Sequence, residues 1–212
     1  MDKIDIIGIS RHRIQSDGCG IRTLVAFHGC PLRCKHCLNP QCFSKDEKLT
    51  VGFDYVAEEV YKDELYYRIT NGGVTFGGGE PLLHSEDMLR LITEYGFNKC
   101  NINIGTSLNV DLSNLETVYN YIDKWFIDIK DMNPVIYKNY TGIDNSKVKS
   151  NLQWMLEHGI SKEDVVIRVP LISGYNTEED IKNSICELKS IGFSQFDIFR
   201  YKIDSIKNKE IK

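Results

Sequence analysis

Cys30, Cys34 and Cys37 form a C-x3-C-x2-C array, Cys30-Pro-Leu-Arg-Cys34-Lys-His-Cys37. Thiolates are soft, strong ligands for iron. Three of them so close together can wrap one corner of a cubane, and the array itself holds no fourth cysteine. A four-iron cluster held this way keeps one iron free of protein ligands. An open coordination position signals chemistry, as it does at catalytic zinc. The alternative is a structural zinc knot with Cys42 as fourth ligand, although zinc ligands come more often as repeated C-x2-C pairs. Cys42, Cys100 on a strand and Cys186 on a helix read as small buried hydrophobes. The chain has seven cysteines in all. An odd number, with four crowded between Cys30 and Cys42, is a poor disulfide framework.

The elements that must position this array alternate along the chain. Short apolar runs at 21–28, 73–76, 100–104, 125–129, 165–169 and 196–199 read as strands. Helical spacing covers 53–69, 85–95, 113–122, 145–157 and 177–191, with Ser85 as a cap. Strands alternating with helices predict an α/β fold with a parallel sheet and right-handed crossovers. Six units are too few for the closed eight-stranded barrel, which leaves a doubly wound sheet or an open, partial (β/α)6 TIM-like barrel, and the latter is the expectation. We read residues 1–212 as a single domain, with a short polar tail from about residue 202.

The remaining unusual residues fall at strand ends. The cysteines follow the first strand, Gly77-Gly78-Gly79-Glu80-Pro81 the second, and Gly105-Thr106-Ser107 the third. Asp128 and Lys130 end the fourth and Arg168 ends the fifth. The carboxyl ends of parallel strands form the rim where active sites lie, so the clusters converge on one pocket. Asp128 and Lys130 are spaced i, i+2 and point to one face of a strand. A glycine run lets backbone approach a ligand closely, or makes a tight turn before the helix at Ser85. Thr106 and Ser107 suit ligand hydrogen bonds or, equally, a turn.

The net charge is -4 and the chain is 42% hydrophobic. Neither value supports bulk nucleic-acid binding, which shows as a basic stripe. No apolar run reaches the roughly 18 residues of a membrane span, and the first residues lack the pattern of a secretory signal. The expected place is the cytoplasm, with no nucleic acid and no membrane as partner.

A C-x3-C-x2-C array after one strand and a G-G-E run after the next resemble the radical S-adenosylmethionine (SAM) superfamily. The stretches DGCGIRTLVAFHGCPLRCKHCLNP, GGVTFGGGEPLLH, FIDIKDM and RVPLISGYN resemble the activating enzymes of glycyl radical enzymes, pyruvate formate-lyase activase among them. The resemblance runs from about Asp17 to Phe199. It implies a 4Fe-4S cluster on Cys30, Cys34 and Cys37, with SAM bound to the open iron. Reductive cleavage of SAM would give a 5′-deoxyadenosyl radical that abstracts hydrogen. It further implies that Gly77, Gly78 and Gly79 bind the ammonium of SAM through main chain, with Glu80 as a charged partner. Thr106 and Ser107 would meet the ribose or methionine group. Lys130, beside Asp128, suits the SAM carboxylate, as does Arg168. His36 stands where the superfamily has an aromatic residue packed on adenine.

The implied partners are a glycyl radical enzyme, or else a peptide or small-molecule substrate, and a low-potential electron donor such as flavodoxin or ferredoxin. A reading of another class is a non-catalytic electron carrier. The chain departs from the activases at three places. Gly105 replaces a frequent acid, and Cys19 replaces a proline and is expected to pack inside. The usual His- and Lys/Tyr-containing segment is not recognisable in 199–212.

Overall fold

The computed structural model describes Lys3–Tyr201; the polar tail expected from about residue 202 lies outside the described residues. The strands are β1 (Lys3–Ile14), β2 (Ile21–Phe27), β3 (Leu49–Gly52), β4 (Gly73–Gly78), β5 (Asn101–Thr106), β6 (Lys124–Asp128), β7 (Val165–Leu171) and β8 (Phe196–Arg200). They form one eight-stranded sheet in the order β3-β1-β2-β4-β5-β6-β7-β8. From β2 to β8 every neighbouring pair is parallel. The sheet ends at β3 and β8 and is not closed.

The expected parallel strands are all present. The sequence reading missed the antiparallel pair added at one edge, where β1 pairs with both β2 and β3. β1 buries Ile4 and Ile6 but then passes through two register irregularities and the charged run Arg11-His12-Arg13. Its alternation fades where a strand signal would be sought.

The helices are α1 (Phe53–Tyr61), α2 (Glu64–Thr70), α3 (Ser85–Thr93), α4 (Leu112–Val118), α5 (Pro134–Thr141), α6 (Ser146–Glu157) and α7 (Glu178–Ile191). The single helix expected over 53–69 is two. The break falls at Asp63, whose buried carboxylate accepts hydrogen bonds from Arg11 and from Thr23 Oγ1. That demand from the neighbouring strands overrides helix continuity. Helix α5, unforeseen in the sequence, starts at Pro134, with the Asn133 side chain accepting from Val135 N and Ile136 N. This is the expected chemistry of a helix start. Helix α7 opens with a capping box between Thr177 and Asp180.

Alternate residues of each strand face opposite ways, and the two faces differ in chemistry. Val25, Phe27, Val74, Ile102, Ile104, Trp125, Ile127, Ile129, Ile167 and Val169 join the core against the helices. The opposite set, Leu24, Thr75, Gly77, Gly105, Phe126, Asp128 and Arg168, lines a cavity on the other side of the sheet. Small and charged residues on one face of otherwise apolar strands leave room for a ligand.

Candidate functional site

The cavity has a volume of about 340 Å3. Cys30, Cys34, Cys37 and His36 line it from the loop after β2, and Gly77, Gly78 and Gly79 from β4 and its end. Thr106 and Ser107 contribute from β5, Asp128 and Lys130 from β6, and Arg168 from β7. The residues singled out from sequence therefore meet in one place, Glu80 excepted.

The cysteine loop is tied down by main chain. Gly29 N donates to Cys42 O at 3.1 Å, Arg33 N to Thr141 O at 2.8 Å and Lys35 N to Tyr140 O at 3.2 Å. Asn39 Nδ2 donates to Gly78 O at 2.7 Å, joining this loop to the glycine run. Glycine is required at that junction. Gly78 has φ +100°, and a Cβ on Gly79 would stand 2.0 Å from Gly29 O. Gly77 and Gly105 face the cavity without such crowding: a Cβ at Gly77 would meet only Leu24 Cδ1, at 3.0 Å, and one at Gly105 nothing within 4 Å.

Glu80 is fully buried and does not line the cavity. Its carboxylate accepts from Thr106 Oγ1 at 2.6 Å, Ser107 N at 2.8 Å, Ser107 Oγ at 2.6 Å and Leu82 N at 3.2 Å. The expectation of a charged partner for a ligand ammonium gives way to a brace between the ends of β4 and β5. Burial pushes its pKa up against the pull of these donors. Thr106 and Ser107 hold the brace with their hydroxyls while still reaching the cavity wall.

Lys130 is 8% exposed. Its Nζ stands 3.6 Å from Asp128 Oδ2 and donates to Tyr201 Oη at 3.1 Å. Burial works to lower its pKa, but Asp128 and Tyr201 outweigh it, and the ammonium stays charged well past its ordinary range. The Arg168 guanidinium lies 4.6 Å over the Phe126 ring and donates to Ser16 O at 3.3 Å. The His36 ring has Tyr140 at 6.1 Å and Tyr175 at 5.7 Å between centroids. Tyr175 belongs to the RVPLISGYN stretch, which explains how that segment reaches the cysteine loop.

Burial pushes Cys30 up to about 12 and Cys34 up to about 11. Cys37 is held down to about 6 by a hydrogen bond from Cys42. Cys42 is buried behind the wall, and the cavity lining includes no fourth thiol. Among the described residues, no three or more His, Cys, Asp or Glu side chains are gathered to hold a single metal ion. The donor chemistry, three thiols on one wall beside glycine backbone and a buried ammonium, fits an iron cluster with an amino-acid ligand next to it.

Sequence reasoning missed Asn39, Phe126 and Tyr201, which also line the cavity. Phe126 alone carried a usable signal, since it lies at i−2 from Asp128 on the same strand face. Cys19, expected to pack inside, is exposed. It borders a second cavity of about 490 Å3 that shares Phe126 and Arg168 with the first. Cys186 is likewise exposed on α7.

A family model described as the Radical SAM superfamily matches residues 24–185. The (2S)-3-sulfopropanediol dehydratase activating enzyme of Klebsiella oxytoca is 29% identical, with 82% of this chain and 73% of the relative covered. The pyruvate formate-lyase 2-activating enzyme of Escherichia coli strain K12 is 25% identical, with 94% and 78% covered. Among solved structures, a domain of a pyruvate-formate lyase-activating enzyme from Bacteroides vulgatus is 28% identical with a TM-score of 0.54. It covers 62% of this chain and 81% of that one. Streptococcus suis SuiB bound to S-adenosylmethionine shares the fold, with a TM-score of 0.62 at 14% identity, over 84% of this chain and 42% of that one.

Proposed function

The chain belongs to the radical SAM superfamily, and from that premise we propose that it places a glycyl radical on a partner enzyme. The observation that carries the proposal is the single cavity shared by three thiols, the glycine run and a buried ammonium. The naming of its relatives as activating enzymes of glycyl radical enzymes supports the choice of substrate. In this reading one domain does the work, in the cytoplasm, with a flavodoxin or ferredoxin as electron donor. No helix among the described residues is long and apolar enough to cross a membrane.

Cys30, Cys34 and Cys37 would hold a 4Fe-4S cluster. When bound, the cluster would supply the electron for reductive cleavage of SAM to methionine and a 5′-deoxyadenosyl group able to take a hydrogen atom from the substrate. The protein's part is to bind, orient and exclude water. Main chain of Gly77–Gly79 would bind the SAM ammonium, and Lys130 and Arg168, which line the same cavity, would bind its carboxylate. Thr106 and Ser107 would meet the ribose hydroxyls or the methionine group, and His36 would flank the adenine. The target glycine must come within about 3–4 Å of the reacting carbon, so it enters as a loop.

The test incubates the anaerobically loaded protein with SAM, a strong reductant and a candidate partner, followed by electron paramagnetic resonance. The expected result is 5′-deoxyadenosine release and a glycyl doublet on the partner, lost when its target glycine is changed to Ala. Deoxyadenosine with a covalently altered peptide and no persistent protein radical moves the substrate to the peptide class. Iron redox cycling without SAM cleavage makes the chain an electron carrier.

A further inference from the structure

Lys130 depends on a residue more than seventy positions away. Tyr201 N donates to Leu171 O at 3.3 Å, carrying the pairing of β8 with β7 one step past Arg200. The alternation of the strand puts Tyr201 on the face of Asp197 and Phe199, and the Phe199 and Tyr201 rings meet edge-on at 5.6 Å. The hydroxyl then lies inside the cavity, where Lys130 Nζ donates to it at 3.1 Å. The other neighbour of that nitrogen, Asp128, stands at 3.6 Å, an ion-pair distance longer than a hydrogen bond.

A lysine is a point charge on a flexible stem with three donors. Coulomb attraction alone would let the ammonium swing onto the Asp128 carboxylate, away from any ligand. A neutral acceptor on the opposite element gives it a second fixed point while leaving a donor free. A phenol does this without adding a competing anion to a carboxylate site. We infer that Tyr201 is a positioning residue that aims Lys130 at the carboxylate of SAM. The inference rests on the proposed SAM site and adds a residue that none of the motifs contains.

The test measures binding of two ligands to the cluster-loaded protein: SAM, and decarboxylated SAM, which keeps the sulfonium and adenosine but lacks the carboxylate. Tyr201→Phe, monitored for an unchanged melting temperature, is expected to weaken SAM roughly fivefold to tenfold, the worth of about one ordinary net hydrogen bond. Decarboxylated SAM is expected to bind Tyr201→Phe within about twofold of wild type. In a Lys130→Met background, or Lys130→Gln should that variant not fold, adding Tyr201→Phe should cost SAM nothing further. Equal weakening of both ligands, no weakening of either, or an undiminished effect without Lys130 would each overturn the positioning role. Normal SAM affinity in the Lys130 variant alone would instead remove the proposed carboxylate site, and this inference with it.

Discussion

Cys30 and Cys34 are half-buried thiols whose pKa values, pushed up to about 12 and 11 by desolvation, oppose ionisation. In the proposed site, iron would have to displace their protons to bind. Cys42 differs in kind, because it turns its thiol to Cys37 rather than to the cavity. Anaerobic reconstitution should therefore load about four irons per chain. Cys30→Ala, Cys34→Ala and Cys37→Ala should each lose the iron. Cys42→Ala should keep it and lose about 1 kcal/mol of stability from the buried contact. Iron and sulfide analysis with thermal melts checks this, and stoichiometric zinc without iron would point to the knot. The array was legible in sequence because its members sit a few residues apart. Tyr201 was not, because it meets Lys130 only through the pairing of β8 with β7.

At the scale of elements, Glu80 locks the end of β4 to that of β5. Glu80→Ala strips partners from buried Ser107 and Thr106, at a cost of at least about 2 kcal/mol, visible as a lower urea midpoint. Burial holds the Glu80 pKa above its ordinary 4.5. Between 4.5 and the raised value the native chain keeps a proton that the unfolded chain has lost. The contribution of this group to stability therefore falls as pH rises through that window. Glu80→Gln does not titrate, so wild type should lose ground to it as pH rises; parallel stability curves would refute the assignment. The sequence showed the glycine run and the acid after it, but not which way the acid points. Direction depends on the donors of the next strand end. In the same way the broken helix at Asp63 depends on Arg11 and Thr23, whereas the helices expected after β4 and β7 are present, although Ser85, expected as a cap, is instead the first residue of α3, and no side chain caps that helix start.

For the molecule as a whole, one core cluster runs from Ile4 to Phe193, and none of Cys30, Cys34 and Cys37 is among its buried members. The cysteine loop joins this body through Gly29, Arg33, Lys35 and Asn39, by hydrogen bonds that involve no thiol. Small zinc domains fold only with their metal; this chain should not need its cluster to fold. Iron-free protein should show a helical far-UV spectrum and a cooperative melt, with iron raising the melting temperature by mass action. An unstructured spectrum that becomes ordered only on adding iron would contradict this.

The tethering of that loop bears on survival in air. Oxygen dismantles exposed iron–sulfur units, and a protein built around one would be lost with it. Here the mould outlasts the casting. With the proposed ligands, the three sulfurs, once reduced again, would still stand on a loop held by its own hydrogen bonds, so repair would ask for iron, sulfide and electrons and not for a new polypeptide.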